Sequence, residues 1–126
     1  MSALDPVPTF LGWTYIAGPM RGIPEFNFPA FFDAAERLDR PGWVYNPAER
    51  DSDGGFDCRG LTGNEDLVAL DFDVRGALAE GLTWIARRAD SVCVLAGWER
   101  SLGAKAEVAA ARAVGIPVFS IVDVPS

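Results

Sequence analysis

Residues 13–22 read Trp13-Thr14-Tyr15-Ile16-Ala17-Gly18-Pro19-Met20-Arg21-Gly22, and the fold is read outward from them. The first half is aromatic and β-branched with no polar alternation, the pattern of a strand buried on both faces. Gly18-Pro19 then breaks the run into a tight loop. Two further runs of this kind are Ser91-Val92-Cys93-Val94-Leu95 and Ile116-Pro117-Val118-Phe119-Ser120-Ile121, and Trp43-Val44-Tyr45 is a shorter one stopped by Asn46-Pro47.

Helical spacing fills the intervals. Phe28, Phe31, Phe32, Ala35 and Leu38 recur every three or four residues and end at Pro41-Gly42. Leu78, Leu82, Ile85 and Ala89 mark a helix over about 74–88, and an Ala-rich helix covers about 104–114. Residues 49–66 are dense in turn formers and acids without apolar periodicity, and are expected to form a long solvated surface loop, with a lid as the other reading. Fully apolar strands alternating with helices predict a parallel sheet covered on both faces and joined by right-handed crossovers. The expected fold is therefore α/β, a Rossmann-like or flavodoxin-like three-layer domain with a small parallel sheet, spanning residues 1–126 as a single domain.

Composition narrows the chemistry. With 126 residues, 49% of them hydrophobic, the chain is long enough to bury its own core without a metal or disulfide. It contains no His, which excludes His-based triads, His bases and His metal ligands. Eleven basic against 18 acidic residues leave a net charge of −7, the wrong sign for gripping a nucleic-acid polymer. A small anionic ligand stays compatible, because a few oriented amides and one Arg reverse the field locally. Cys58 and Cys93 form neither a CxxC motif nor a disulfide framework, and no apolar run approaches the roughly 20 residues of a membrane span. A soluble, cytoplasmic protein with no metal, no other cofactor and no membrane partner is expected.

In open parallel sheets ligands bind at the carboxyl ends of the strands, which directs attention to two segments. In the first, Gly18 and Gly22 let the backbone approach a ligand and Arg21 offers a fixed positive charge, a combination suited to phosphate. It lacks the Walker lysine and is not GxGxxG. The second is Gly97-Trp98-Glu99-Arg100-Ser101-Leu102-Gly103-Ala104-Lys105-Ala106-Glu107. Here Ser101 would stand at the mouth of a helix, where amides and the helix dipole favour an anion, with Glu107 inside it and aimed back toward its start. The same spacing also suits an N-cap serine followed by a solvated acid.

Together Tyr-Ile-Ala-Gly-Pro-Met-Arg-Gly at 15–22, Asn-Pro-Ala-Glu at 46–49, Ala89-Asp90 before an apolar strand, and Gly-Trp-Glu-Arg-Ser-x-Gly-Ala at 97–104 carry a resemblance. The chain is similar over residues 13–121 to the nucleoside 2-deoxyribosyltransferase-like superfamily, which includes small phage and bacterial proteins and the 2'-deoxynucleoside 5'-phosphate N-hydrolases. The resemblance implies that Glu107 is the nucleophile at the anomeric carbon and that Tyr15 orients it. It further implies a 5'-phosphate held by Ser101 and the Gly18, Met20, Arg21, Gly22 loop, with Gly103 and Trp98 also at the substrate. An acid in place of Ser101 marks the transferases, whereas a hydroxyl can donate to phosphate, so the expected substrate is a nucleoside 5'-monophosphate. Hydrolysis to free base and (deoxy)ribose 5-phosphate is the expected reaction. The alternatives are deoxyribosyl transfer between bases and a silent nucleotide-binding module. A homo-oligomer, a dimer in which a neighbour's loop closes each site, also follows from the resemblance.

The superfamily usually carries an Asp that handles the leaving base, and aligning on Leu82-Thr83-Trp84-Ile85 puts Gly81 there. Glu80, Asp71 or Asp73 substitutes, or base protonation is lost. Among the other residues, Asp90 reads as a structural turn acid, and Arg100 and Lys105 as solvated or ion-paired. Trp98 and Phe26 suit either base stacking or cover for the core.

Overall fold

Four strands, β1 (Thr14–Ala17), β2 (Val44–Tyr45), β3 (Ser91–Val94) and β4 (Val118–Ser120), form one sheet in the computed structural model, which describes residues 4–125. All three pairings are parallel and the order is β2-β1-β3-β4, that of a flavodoxin-like sheet. β1 lies opposite β3 from Thr14↔Ser91 to Ala17↔Val94, so the two strands end level.

The helices are α1 (Phe28–Leu38), α2 (Pro47–Asp53), α3 (Val74–Arg87) and α4 (Leu102–Val114). Two-residue alternation along the strands divides the core into two layers. Ile16, Cys93, Leu95 and Phe119 point to one face, where Phe28, Phe31, Ala34 and Leu38 of α1 and Ala48 of α2 cover them. Tyr15, Ala17, Val92, Val94 and Val118 point to the other, against Ile85 of α3 and Val108 and Ala111 of α4. The alternating apolar strands and helices thus produce the expected three-layer α/β domain. Small residues at 104, 108 and 111 let α4 sit close to the sheet.

Several polar groups that this packing buries find partners. Thr14 and Ser91 share a hydroxyl–hydroxyl bond of 2.9 Å between β1 and β3, and the Ser91 hydroxyl also donates to the Leu11 carbonyl at 2.7 Å. Asp90 is structural, as its position before a strand suggests: its Oδ2 accepts the Trp13 amide at 2.8 Å and ties the entry of β1 to that of β3.

Three boundaries differ from the sequence-based expectation. The largest concerns 49–66, which is not a loop throughout: residues 47–53 are α2. Asn46 side-chain oxygen accepts the Ala48 amide at 3.0 Å and Pro47 occupies the first turn, so the pair that stops β2 also starts a helix. α4 starts at Leu102 rather than Ala104, because the Ser101 hydroxyl accepts the Ala104 amide at 3.1 Å and acts as the N-cap. The last strand shrinks to three residues. Ile116 donates back to the Ala111 carbonyl in the helix terminus, Pro117 has no amide proton, and Ile121 enters a 3-10 turn capped by Ser120. No helix among the described residues is long and apolar enough to cross a membrane.

Candidate active site

The strand order reverses direction between β1 and β3, so the loops that leave them diverge and a crevice opens at their carboxyl ends. A cleft of about 850 Å³ lies there. It is the right size for a nucleotide-sized molecule. Its walls come from the loop after β1, the loop and first turn of α4 after β3, α2, and the start of α3.

At its floor Tyr15, the second residue of β1, donates its phenolic hydroxyl to Oε2 of Glu107, from the second turn of α4. Tyr15 is fully buried and stacks on Tyr45 with ring centroids 4.9 Å apart, so its hydroxyl has one available direction. Burial raises the Glu107 carboxyl to about 7, and the Tyr15 hydrogen bond opposes that rise by favouring the ionised form. Tyr15 is itself pushed well above the ordinary tyrosine range, first by burial and then by the Glu107 charge, and stays a donor. With Oε2 occupied, Oε1 is the oxygen available to a ligand.

Gly81 completes the floor. A Cβ at this position would run into the Tyr15 hydroxyl and stand 3.2 Å from Glu107 Oε2. The glycine is therefore the space that the Tyr15–Glu107 pair fills. None of the three acids expected to replace an Asp at 81 lines the cleft. Glu80 is turned away, accepting the Tyr45 hydroxyl at 2.8 Å and pairing with Arg50 at 3.4 Å. Asp73 caps α3 by accepting the Gly76 amide at 2.9 Å, and Asp71 is an exposed residue with φ of 58°. The acid that does line the cleft is Asp51, one turn after the buried Ala48 on α2. Burial, with the charge of Glu80 second, raises its carboxyl to about 6.

The opposite side of the cleft is cationic and rich in donors. Ser101, Gly103 and the first turn of α4 line it with Arg100; Arg21 lines the cleft from the loop after β1 and donates to the Glu65 carbonyl at 3.5 Å, and neither Arg is in an ion pair among the described residues. The Ser101 hydroxyl accepts the Ala104 amide and keeps its own proton free to donate. Amides in the first turn of a helix have no intrahelical partner, which makes this side attractive to an anion. Arg100 thus faces the cleft, whereas Lys105 is exposed and outside it.

The two loop glycines act differently from the expectation that both admit a ligand. Gly18 is required by packing, since a Cβ there would lie 2.8 Å from the Leu95 side chain. Gly22, at φ of 82°, donates its amide to the Gly63 carbonyl at 2.9 Å and so anchors the loop to the 57–72 segment. Both still line the cleft, as does the half-buried Met20. Trp98 does not: the 3-10 turn Trp98–Arg100 turns its ring onto the core layer of Tyr15 and Val94 and leaves Arg100 facing the cleft.

Aromatic rings form the remaining wall. Phe56 meets Phe26 at 5.8 Å, Phe28 at 5.7 Å and Phe72 at 5.1 Å, and all four line the cleft. Phe26 arrives there through a turn in which Glu25, Phe26 and Asn27 have φ of 56°, 52° and 63°. Left-handed residues other than glycine cost roughly 1–2 kcal/mol each. Asn27 Nδ2 donating to the Pro19 carbonyl at 2.9 Å and the Glu25 amide donating to the Leu61 carbonyl at 2.8 Å hold the turn in place. Sequence reasoning missed Asp51, Phe56 and Phe72; the Asn-Pro helix start at 46–47 was the available signal for the first.

A family model described as "Domain of unknown function (DUF4406)" matches residues 13–120. The chain belongs to that family. No curated protein and no solved structure gives a match. The DUF4406 match runs from the entry of β1 to the end of β4 and so includes every cleft-lining element described above.

Proposed function

We propose that this DUF4406 protein is an N-glycosidase that hydrolyses nucleoside 5'-monophosphates, with 2'-deoxynucleotides as the favoured class, to free base and sugar phosphate. The observation that carries the reading is the Tyr15–Glu107 pair at the floor of the cleft, opposite the anion-attracting first turn of α4. The resemblance to the nucleoside 2-deoxyribosyltransferase-like superfamily supplies the reaction class, and the geometry supports it.

In this reading the 5'-phosphate lies against Ser101, Gly103, Arg21 and Arg100, and the sugar is turned with C1' toward Glu107. Ionised Glu107, held by Tyr15, attacks C1' through Oε1, and the C1'–N bond breaks with its electron pair on the base. Water then attacks C1' of the glycosyl-enzyme ester and releases sugar phosphate and the Glu107 carboxylate. The Phe26, Phe56 and Phe72 rings offer the base a stacking surface. No metal is needed for any of these steps, and no group of three potential metal ligands occurs among the described residues. Two free cysteines suit a reducing, cytoplasmic setting. A dimer would cover Leu102, which is 82% exposed at the rim of the cleft.

The test is chromatographic measurement of free base after incubation with each deoxy- and ribonucleoside monophosphate and the matching nucleosides. Release from monophosphates that disappears in Glu107→Ala is expected. Binding without release from any of them overturns the reading and leaves a silent nucleotide-binding module; release that requires an added acceptor base makes the protein a transferase.

A further inference from the structure

We propose that Asp51 is the acid that protonates the departing base, an assignment that rests on the N-glycosidase reading above. A neutral nucleobase is a poor leaving group as an anion, so breaking the C1'–N bond at a useful rate requires a proton on the base. Tyr15 cannot supply it, because its hydroxyl is committed to Glu107. The cleft holds one other acid. Asp51 lines it from α2, close enough to Tyr15 and Tyr45 for its charge to act on both rings, and no hydrogen bond or ion pair occupies its carboxyl among the described residues.

α2 is built to present this group. Ala48 packs into the core, while Pro47 and Asp51, four residues apart on one helix face, both line the cleft. The adjacent cation is held elsewhere: the Arg50 guanidinium lies 4.5 Å over the Tyr45 ring and pairs with Glu80. Glu80 from α3, Tyr15 from β1 and Tyr45 from β2 are the titratable groups coupled to the Asp51 charge, Glu107 from α4 lines the same cleft, and Arg50 is the one cation on α2. Burial first, and the Glu80 charge second, raise the Asp51 carboxyl to about 6.

The proton balance closes. In the first step the Asp51 carboxyl proton goes to a base nitrogen as the C1'–N bond breaks and the C1'–Oε1 bond to Glu107 forms. In the second step the Asp51 carboxylate takes a proton from water as the water oxygen bonds to C1' and the ester bond to Glu107 breaks. Both carboxyl groups return to their starting states, and the net reaction consumes one water.

A leaving group that departs without a proton separates this role from a structural one. The experiment compares wild type, Asp51→Asn and Asp51→Ser on the best natural monophosphate and on 4-nitrophenyl 2-deoxyribofuranoside 5-phosphate, whose phenolate leaves unprotonated. With the acid removed, kcat/KM, which reports the first step alone, is expected to fall by about 10²- to 10⁴-fold on the natural substrate and by less than about tenfold on the nitrophenyl substrate. Equal losses on both substrates, or no loss on either, overturn the assignment. Wild type that cleaves only the nitrophenyl substrate also overturns it while leaving Glu107 chemistry intact. Wild type that cleaves neither overturns the N-glycosidase reading itself.

Discussion

Replacing Glu107 by Gln is expected to abolish activity and to stabilise the protein, by an amount that depends on pH. Folding moves this carboxyl from 4.5 to about 7 because it is buried among apolar residues at the floor of the cleft. Between those two values the folded protein holds a proton that the unfolded chain has released. Stability from this group is therefore complete below pH 4.5 and is lost as pH rises through about 7. A displacement of about 2.5 pH units at about 1.4 kcal/mol per unit makes the ionised carboxylate cost about 3 kcal/mol at pH 8.

Gln matches the shape of Glu, accepts the Tyr15 hydroxyl through its side-chain oxygen and does not titrate. The two proteins should be equally stable near pH 5, and the variant should be more stable by up to about 3 kcal/mol at pH 8. Urea unfolding of both proteins at pH 5, 6, 7 and 8 measures the difference. The contribution of Asp51, which titrates in the same range, is common to both and cancels. A variant that is less stable than wild type at pH 8, or a gain that does not change between pH 5 and 8, would refute the claim that burial destabilises the Glu107 carboxylate.

Activity itself should follow a bell with its maximum near about pH 6.5, between the Asp51 value of about 6 and the Glu107 value of about 7, because the productive form has Glu107 ionised and Asp51 protonated. In Asp51→Asn the fall on the alkaline side should vanish; a bell that persists unchanged contradicts the pairing. Ser101→Ala and Arg21→Ala should each raise KM for a monophosphate by tenfold or more, on the order of one charge-assisted hydrogen bond, and change KM for the matching nucleoside little. Equal effects on both substrates would remove the phosphate from that side of the cleft. Gly81→Ala should destabilise the protein and lower kcat, although alanine normally gains about 1 kcal/mol over glycine within a helix. Thermal unfolding decides the sign, and a higher melting temperature would mean that Tyr15 moves aside without cost.

Much of this architecture is legible in the chain because the relevant signals are redundant. Residues 15–17 and 92–95 are apolar at every position, so no register error disguises them as half-exposed strands. Once these are adjacent parallel strands, the segments after both must meet, which brings Gly18–Gly22 to Ser101 and Glu107. What stayed hidden is carried by ambiguous or silent signals. Asn46-Pro47 ends a strand and starts a helix with the same two residues, and the acids and Ser that follow look like a solvated loop until α2 turns Asp51 inward. The left-handed turn at 25–27 contains no glycine, so only its tertiary hydrogen bonds account for it. Trp98 and Arg100 are two residues apart in a 3-10 turn, and which of them faces the cleft is decided by the space beside Tyr15 and Val94.

The distribution of charge within the cleft also bears on how a protein with a net charge of −7 would take the proposed anionic substrate in one orientation. Both cleft carboxyl groups, Asp51 and Glu107, are shielded from water and keep protons to higher pH than free acids do, so at neutral pH they repel phosphate less than two ordinary carboxylates would. The two Arg side chains that line the cleft, Arg21 and Arg100, are exposed, and Arg100 precedes the first turn of α4. Phosphate bound the other way round would leave water to lie between two partly ionised acids, and would place a base, which carries no charge, against the cations. In the proposed reaction the favourable pairing would put the phosphate beside the cations and the glycosidic bond near Glu107 and Asp51, which line the same cleft. In the proposed reaction burial of the acids would therefore serve two ends at once: it would lower the barrier to anion entry and keep a proton available for the leaving base.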